Sequence, residues 1–153
     1  MHTIRFALIG LGNIGRNLLD ILVHRSAAIA AAHELRFVLV GAADSRGAAL
    51  CADGLDMAAL RDLKLARRSA GDLPQHGRPG LAALDMLAQV DADLLVDASP
   101  TNLVDGEPGM SCVIAALERG MHLVFASKGP LVLAYEAIMA QATALGSRVL
   151  FSG

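Results

Sequence analysis

A chain of 153 residues with 54% hydrophobic and 18% charged side chains can bury a sizeable core and is too apolar for a disordered tail. A net charge of -2, 3% aromatic residues and no tryptophan give no electrostatic footprint for nucleic acid or an anionic membrane, and no stacking platform for single strands. The two cysteines, Cys51 and Cys112, stand outside any CxxC spacing, which argues against a disulfide framework and for a reducing cytoplasm.

Ile4 to Ile9 is short and mostly apolar, the pattern of a central parallel strand buried on both faces. Beyond a glycine turn, Ile14, Leu18, Ile21 and Leu22 recur at helical spacing, and the alanine-rich stretch through Ala32 prolongs that helix. Leu35 to Gly47 predicts a second apolar strand that ends in a polar loop. Ala48 to Leu65 predicts short helices, and Arg67 to Gly80, dense in Gly, Pro, Ser and Asp, an irregular excursion. A helix over Leu81 to Gln89 leads to a third strand within "DLLVDASPTN", Asp93 to Asn102. A helix follows over Gly109 to Gly120, with Ser111 near its start and Gly120 as its stop. "MHLVFASKGP" supplies another strand, Leu133 to Leu145 another helix, and "RVLFSG" the last strand. Each apolar run is broken well before the ~18 residues that a membrane span needs. The alternation predicts an α/β fold of Rossmann-like, doubly wound type: an open, mostly parallel sheet with helices on both faces, filling residues 1–153 as one unit.

Gly10, Gly12 and Gly15 form G-x-G-x-x-G between that first strand and the helix behind it, the context that gives the motif weight. Gly10 permits the tight turn, Gly12 lets a pyrophosphate approach the backbone, and Gly15 allows close helix–strand packing. The amides of Asn13 and Ile14, at the positive end of the helix, would face the anion. Such a fold calls for an acid at the end of the second strand to bind the adenosine ribose, and Asp44 stands there. It lies later than the roughly 20 residues usual after the glycines, which the long first helix accounts for. As an acid, Asp44 favours NAD; Arg46 could pair with a 2′-phosphate and favour NADP. The cofactor is NAD or NADP.

Other chemistries find no motif. No GKS or GKT follows the glycines, no HExxH or G-x-S-x-G is present, and the five histidines lack metal-ligand spacing. Asp91, Asp93 and Asp97 read as solvated or capping acids.

Ligands of open α/β sheets sit beyond the carboxyl ends of the strands, where "SPTN" (Ser99 to Asn102) and "SKGP" (Ser127 to Pro130) both emerge. Lys128, one of only two lysines, could there stabilise charge on a carbonyl oxygen, or it could be a solvated strand-end side chain. "SPTN", then "GEPGMSCVIAALERGMHLVFASKGPLVL" and the glycine motif with its downstream Asp-Ser, resemble the amino-terminal half of homoserine dehydrogenase over nearly the whole chain.

The resemblance implies an NAD(P)-dependent oxidoreductase of threonine and methionine biosynthesis that interconverts aspartate 4-semialdehyde and homoserine. Gly10, Gly12, Asn13, Ile14 and Gly15 would hold the pyrophosphate, and Asp44 and Arg46 the adenosine end. Ser99, Pro100 and Thr101 would line the nicotinamide side, with Lys128 near the reacting carbonyl. Ser127 stands where the family usually has asparagine. The family's second domain, for substrate and dimerisation, has no counterpart in these residues, so a partner chain or homo-oligomer is expected for turnover. The alternatives are a free-standing dinucleotide-binding regulatory module and the cofactor domain of another Rossmann aldehyde or imine reductase.

Overall fold

The computed structural model describes residues 1–152; Gly153, the last residue of "RVLFSG" and of the predicted unit, lies outside the described residues. Seven strands form one sheet: β1 His2–Ile9, β2 Leu35–Asp44, β3 Gly47–Leu50, β4 Gly77–Pro79, β5 Leu94–Asp97, β6 His122–Phe125 and β7 Val149–Phe151. The helices are α1 Asn13–His33, α2 Met57–Leu65, α3 Ala83–Gln89, α4 Gly109–Glu118 and α5 Gly129–Leu145, with a 3-10 turn at Ala70–Asp72. Strand order is β4-β3-β2-β1-β5-β6-β7. The five strands from β2 to β7 are parallel, and β3 and β4 add antiparallel at one edge. This is the Rossmann-like, mostly parallel α/β architecture that the alternation predicts.

The continuous apolar run of β1 has a direct cause. Its alternate side chains enter two different cores. Phe6 and Leu8 join Leu19 and Leu22 of α1 and Leu60 of α2, whereas Ala7 and Ile9 join the cluster under α3, α4 and α5. Burying both faces is worth roughly 1.5–3 kcal/mol for each large side chain. Because β2 lies on one side of β1 and β5 on the other, and because α1 and α4 leave toward opposite faces, a crevice opens between the carboxyl ends of β1 and β5.

Three expectations change. The stretch from Ala48 begins as strand β3, because the small residues Ala48 and Ala49 pair with Ala43 and Ala42 of β2 through a two-residue turn, Ser45–Arg46. An all-apolar run of small residues carries no period that separates strand from helix. Part of the excursion at 67–80 is β4, three residues long, with Pro79 tolerated because the strand lies at the sheet edge. Helix α5 starts at Gly129, where Pro130 suits a first turn; non-helical Ala134 then interrupts it, so the predicted start at Leu133 falls at the kink. At α4, Ser111 does lie near the start, and its amide and hydroxyl both donate to Glu107.

Candidate functional site

Gly10 leaves β1 at φ +86°, and a Cβ there would lie 2.2 Å from the Ala98 carbonyl oxygen at the end of β5. Its amide donates to the Ala43 carbonyl of β2 at 2.9 Å, so the turn is held between both neighbouring strands. A Cβ on Gly15 would lie 2.1 Å from the Gly10 carbonyl oxygen, which leaves glycine as the residue that lets α1 approach the turn. Gly12 differs. It caps α1 at an ordinary φ of -77° and has nothing within 4 Å of a Cβ. No side chain caps α1 and no acid occupies its first turn, so its positive end is unanswered.

That end opens on a cleft of about 580 Å³, lined by Gly10, Gly12, Asn13, Ile14, Asp44, Ser99, Pro100 and Thr101 among the expected residues. Three others stand outside its lining. Gly15 is buried behind the turn; Arg46 follows the lining residue Ser45, and its guanidinium donates to the Arg67 carbonyl at 2.9 Å. Lys128 is exposed, its backbone amide 3.5 Å from Oγ1 of the lining residue Thr101. The SKGP turn rests directly on the SPTN loop, since a Cβ on Gly129 would lie 2.7 Å from the Asn102 carbonyl oxygen.

Asp44 lines the cleft but is already engaged. Its Oδ1 accepts from the amides of Arg46 (2.9 Å) and Gly47 (3.1 Å) and from the Ser69 hydroxyl (2.9 Å). Its Oδ2 accepts from Lys64 Nζ and from the Ala70 amide (2.8 Å). Those donors fill the roughly four acceptor positions of a carboxylate. Burial works to raise its pKa, yet the bonds from Lys64, Ala70, Arg46 and Ser69 outweigh it and hold the group below the usual carboxylate range. Asp44 therefore ties the β2–β3 turn to α2 and the 3-10 turn, with no acceptor left over for a ribose hydroxyl.

Lys64 is a cleft-lining residue that sequence reasoning missed. Its rarity was a signal, but its meeting with an acid 20 positions away needed α2 to pack beside β2. Of the two expectations for Asp97, solvated or capping, the structure keeps the second: it is 1% exposed, with Oδ1 accepting from the Ser99 amide (3.0 Å) and hydroxyl (2.5 Å). Among the described residues no group of three or more His, Cys, Asp or Glu is placed to hold a metal, and no helix is long and apolar enough to cross a membrane.

The family model described as "Homoserine dehydrogenase, NAD binding domain" matches residues 10–152. The chain belongs to that family. It is 31% identical over 135 residues to the homoserine dehydrogenase of Methanocaldococcus jannaschii, covering 88% of this chain and 40% of that protein. Its identity to the NAD(+)-dependent homoserine dehydrogenase of Pseudomonas canavaninivorans is 32%, over 87% of this chain and 38% of the relative. The crystal structure of homoserine dehydrogenase from Thermoplasma acidophilum superposes with a TM-score of 0.82 at 29% identity, covering 98% of this chain and 43% of that one. The chain thus spans about two fifths of the length of these homoserine dehydrogenases. The resemblance carried by the "SPTN", "GEPG" and "SKGPL" segments identified the same family.

Proposed function

We propose that this chain is the NAD(P)-binding part of a homoserine dehydrogenase and presents Lys128 to the reacting carbonyl. The observation that carries this reading is the uncapped end of α1, with open space above Gly12, facing the SPTN loop across one cleft. The fit is chemical. A diphosphate needs amide donors and no side chain in its way, which is what Gly12, Asn13 and Ile14 offer. When bound, the nicotinamide supplies or accepts the hydride that interconverts aspartate 4-semialdehyde and homoserine.

The chain's residues do the rest. Gly10 and Gly15 fix the turn, and Ser99, Pro100 and Thr101 form the wall at the nicotinamide end. The Lys128 ammonium, without a hydrogen bond or ion pair to its side chain among the described residues, donates to the substrate oxygen and stabilises charge that develops there. At the adenosine end the Lys64 ammonium offsets the Asp44 charge, and Arg46 lies beside the turn. That balance favours a 2′-phosphate, so NADP binds at least as tightly as NAD.

The remaining length of such enzymes supplies the aldehyde pocket and the subunit contacts, so residues 1–153 act as one cofactor unit that turns over in its company, in the cytoplasm. Calorimetry with NADH and NADPH tests the binding. Activity with aspartate semialdehyde, measured after adding the complementary portion of a family member, tests the chemistry. Lys128→Ala is expected to lower kcat more than about a hundredfold with cofactor affinity unchanged. Equal turnover by mutant and wild type would instead identify a nucleotide-binding module in which Lys128 is dispensable.

A further inference from the structure

The carboxyl group of Asp97 lies directly beneath the SPTN loop. Its Oδ1 takes both donors of Ser99, the buried residue from which the loop departs. Its Oδ2 is buried with no hydrogen-bond partner among the described residues, and it faces the first residue of α4: a Cβ on Gly109 would come within 2.6 Å of it and 3.3 Å of Ser99 Oγ. The Asp97 carbonyl holds the other loop as well, accepting from the amides of Ala126 (2.8 Å) and Ser127 (2.9 Å). The Ser127 hydroxyl is a second buried group without a partner. One residue therefore organises the roots of both loops that border the nicotinamide end.

Among the described residues no cationic side chain is placed to balance a charge there. In the sheet Asp97 pairs with Ile9 and Phe125, both apolar. From α4 the titratable neighbour is the Cys112 thiol, which the Glu107 carboxylate also approaches, and neither is positive. Lys128 points to solvent as an exposed side chain, and Pro130 closes the α5 side. A buried carboxylate with one oxygen left without a donor costs more than a neutral carboxylic acid in the same place.

We propose that Asp97 is a positioning residue which, as a neutral acid, anchors Ser99 and sets the geometry of the nicotinamide-side loop, so that its ionisation loosens the loop and weakens cofactor binding. Burial pushes its pKa up, with the Ser99 bonds opposing, in keeping with that geometry. The sign follows from linkage. A raised pKa in the ordered loop means the ordered form binds the proton more tightly, so order is favoured at low pH and lost as pH rises through that pKa. The functional consequence rests on the dinucleotide reading above, but the titration of the loop does not.

Two measurements separate them. Carbon-detected NMR of the 153-residue chain, without cofactor, should show the Asp97 carboxyl titrating above the ordinary carboxylate range, with the Ser99 and Thr101 amides following the same midpoint. A midpoint in the ordinary range, or loop amides that ignore it, overturns the proposal. NADPH calorimetry as a function of pH should show wild-type affinity falling about three- to tenfold across that midpoint. Asp97→Asn, isosteric and permanently neutral, should flatten the profile, whereas Asp97→Ala should weaken binding at every pH. An Asp97→Asn profile as steep as wild type also overturns the proposal. If no nucleotide binds at all, the cofactor reading fails while the NMR titration still decides the role of Asp97; the same titration suffices if Asp97→Ala does not fold.

Discussion

Gly12 and Gly15 are three positions apart and have opposite reasons for lacking a side chain. Gly15 is packed against backbone, so Gly15→Ala must push α1 off the turn; a loss of about 2–4 kcal/mol in denaturant unfolding is expected. Gly12 has free space and an ordinary φ, so Gly12→Ala should leave the melting temperature nearly unchanged while the added methyl lowers NADPH affinity about tenfold or more. If both properties fell together, the open space above Gly12 would not be a ligand's. Asp44 belongs to the same scale. Its depressed pKa means that its contribution to stability is present above the unfolded carboxylate pKa and lost as pH falls through the folded one. Asp44→Ala, which strands the half-buried Lys64, should cost about 3–5 kcal/mol at neutral pH in chemical denaturation, and the gap to wild type should shrink in acid. Cys112, its pKa pushed up to about 12 by burial and then by Asp97 and Glu107, should resist alkylation in the native chain, while the half-buried Cys51 reacts first in a timed thiol assay.

Among the elements, α2 shows how a short helix earns a functional place. It spans only nine residues, with Leu60 as its one buried side chain, so capping matters to it. Asp56 accepts from the Ala59 amide at 3.0 Å, and Asp56→Ala should lower stability by about 1 kcal/mol on thermal melting. Because α2 carries Lys64 to Asp44 in the cleft, the proposed adenosine end, the same variant should weaken NADPH binding more than NADH binding. The long helices were legible from their period, the buried strands from their apolar runs, and the glycine turn from residues that its backbone demands. Strands β3 and β4 were not. Four and three residues long, made of Gly, Ala, Leu, Arg and Pro, they are strands only because β2 offers an edge to pair with.

For the whole molecule, the sheet's two cores divide the helices unevenly. Helices α3, α4 and α5 cover one face, while on the other α1 and α2 lie toward β1 to β3, leaving Leu94, Val124 and Leu150 of β5, β6 and β7 beside a shallow groove with Ile4 and Phe37. Leu150 is 62% exposed. Hydrogen exchange should accordingly be slowest in β1 and β5 at the sheet centre and fastest in β4 and β7 at its edges; uniform protection across the sheet would contradict this division. The sequence by itself determined the alternating α/β order, the glycine turn and the family, because these depend on local period, on residues that only a particular backbone tolerates, and on contiguous motifs. Tertiary structure alone decided that Asp44 is saturated, that Lys64 reaches it, and that Asp97 is buried beneath the loop it anchors. Each of those facts depends on which distant segment supplies, or withholds, a hydrogen-bond partner once the chain has closed around the site.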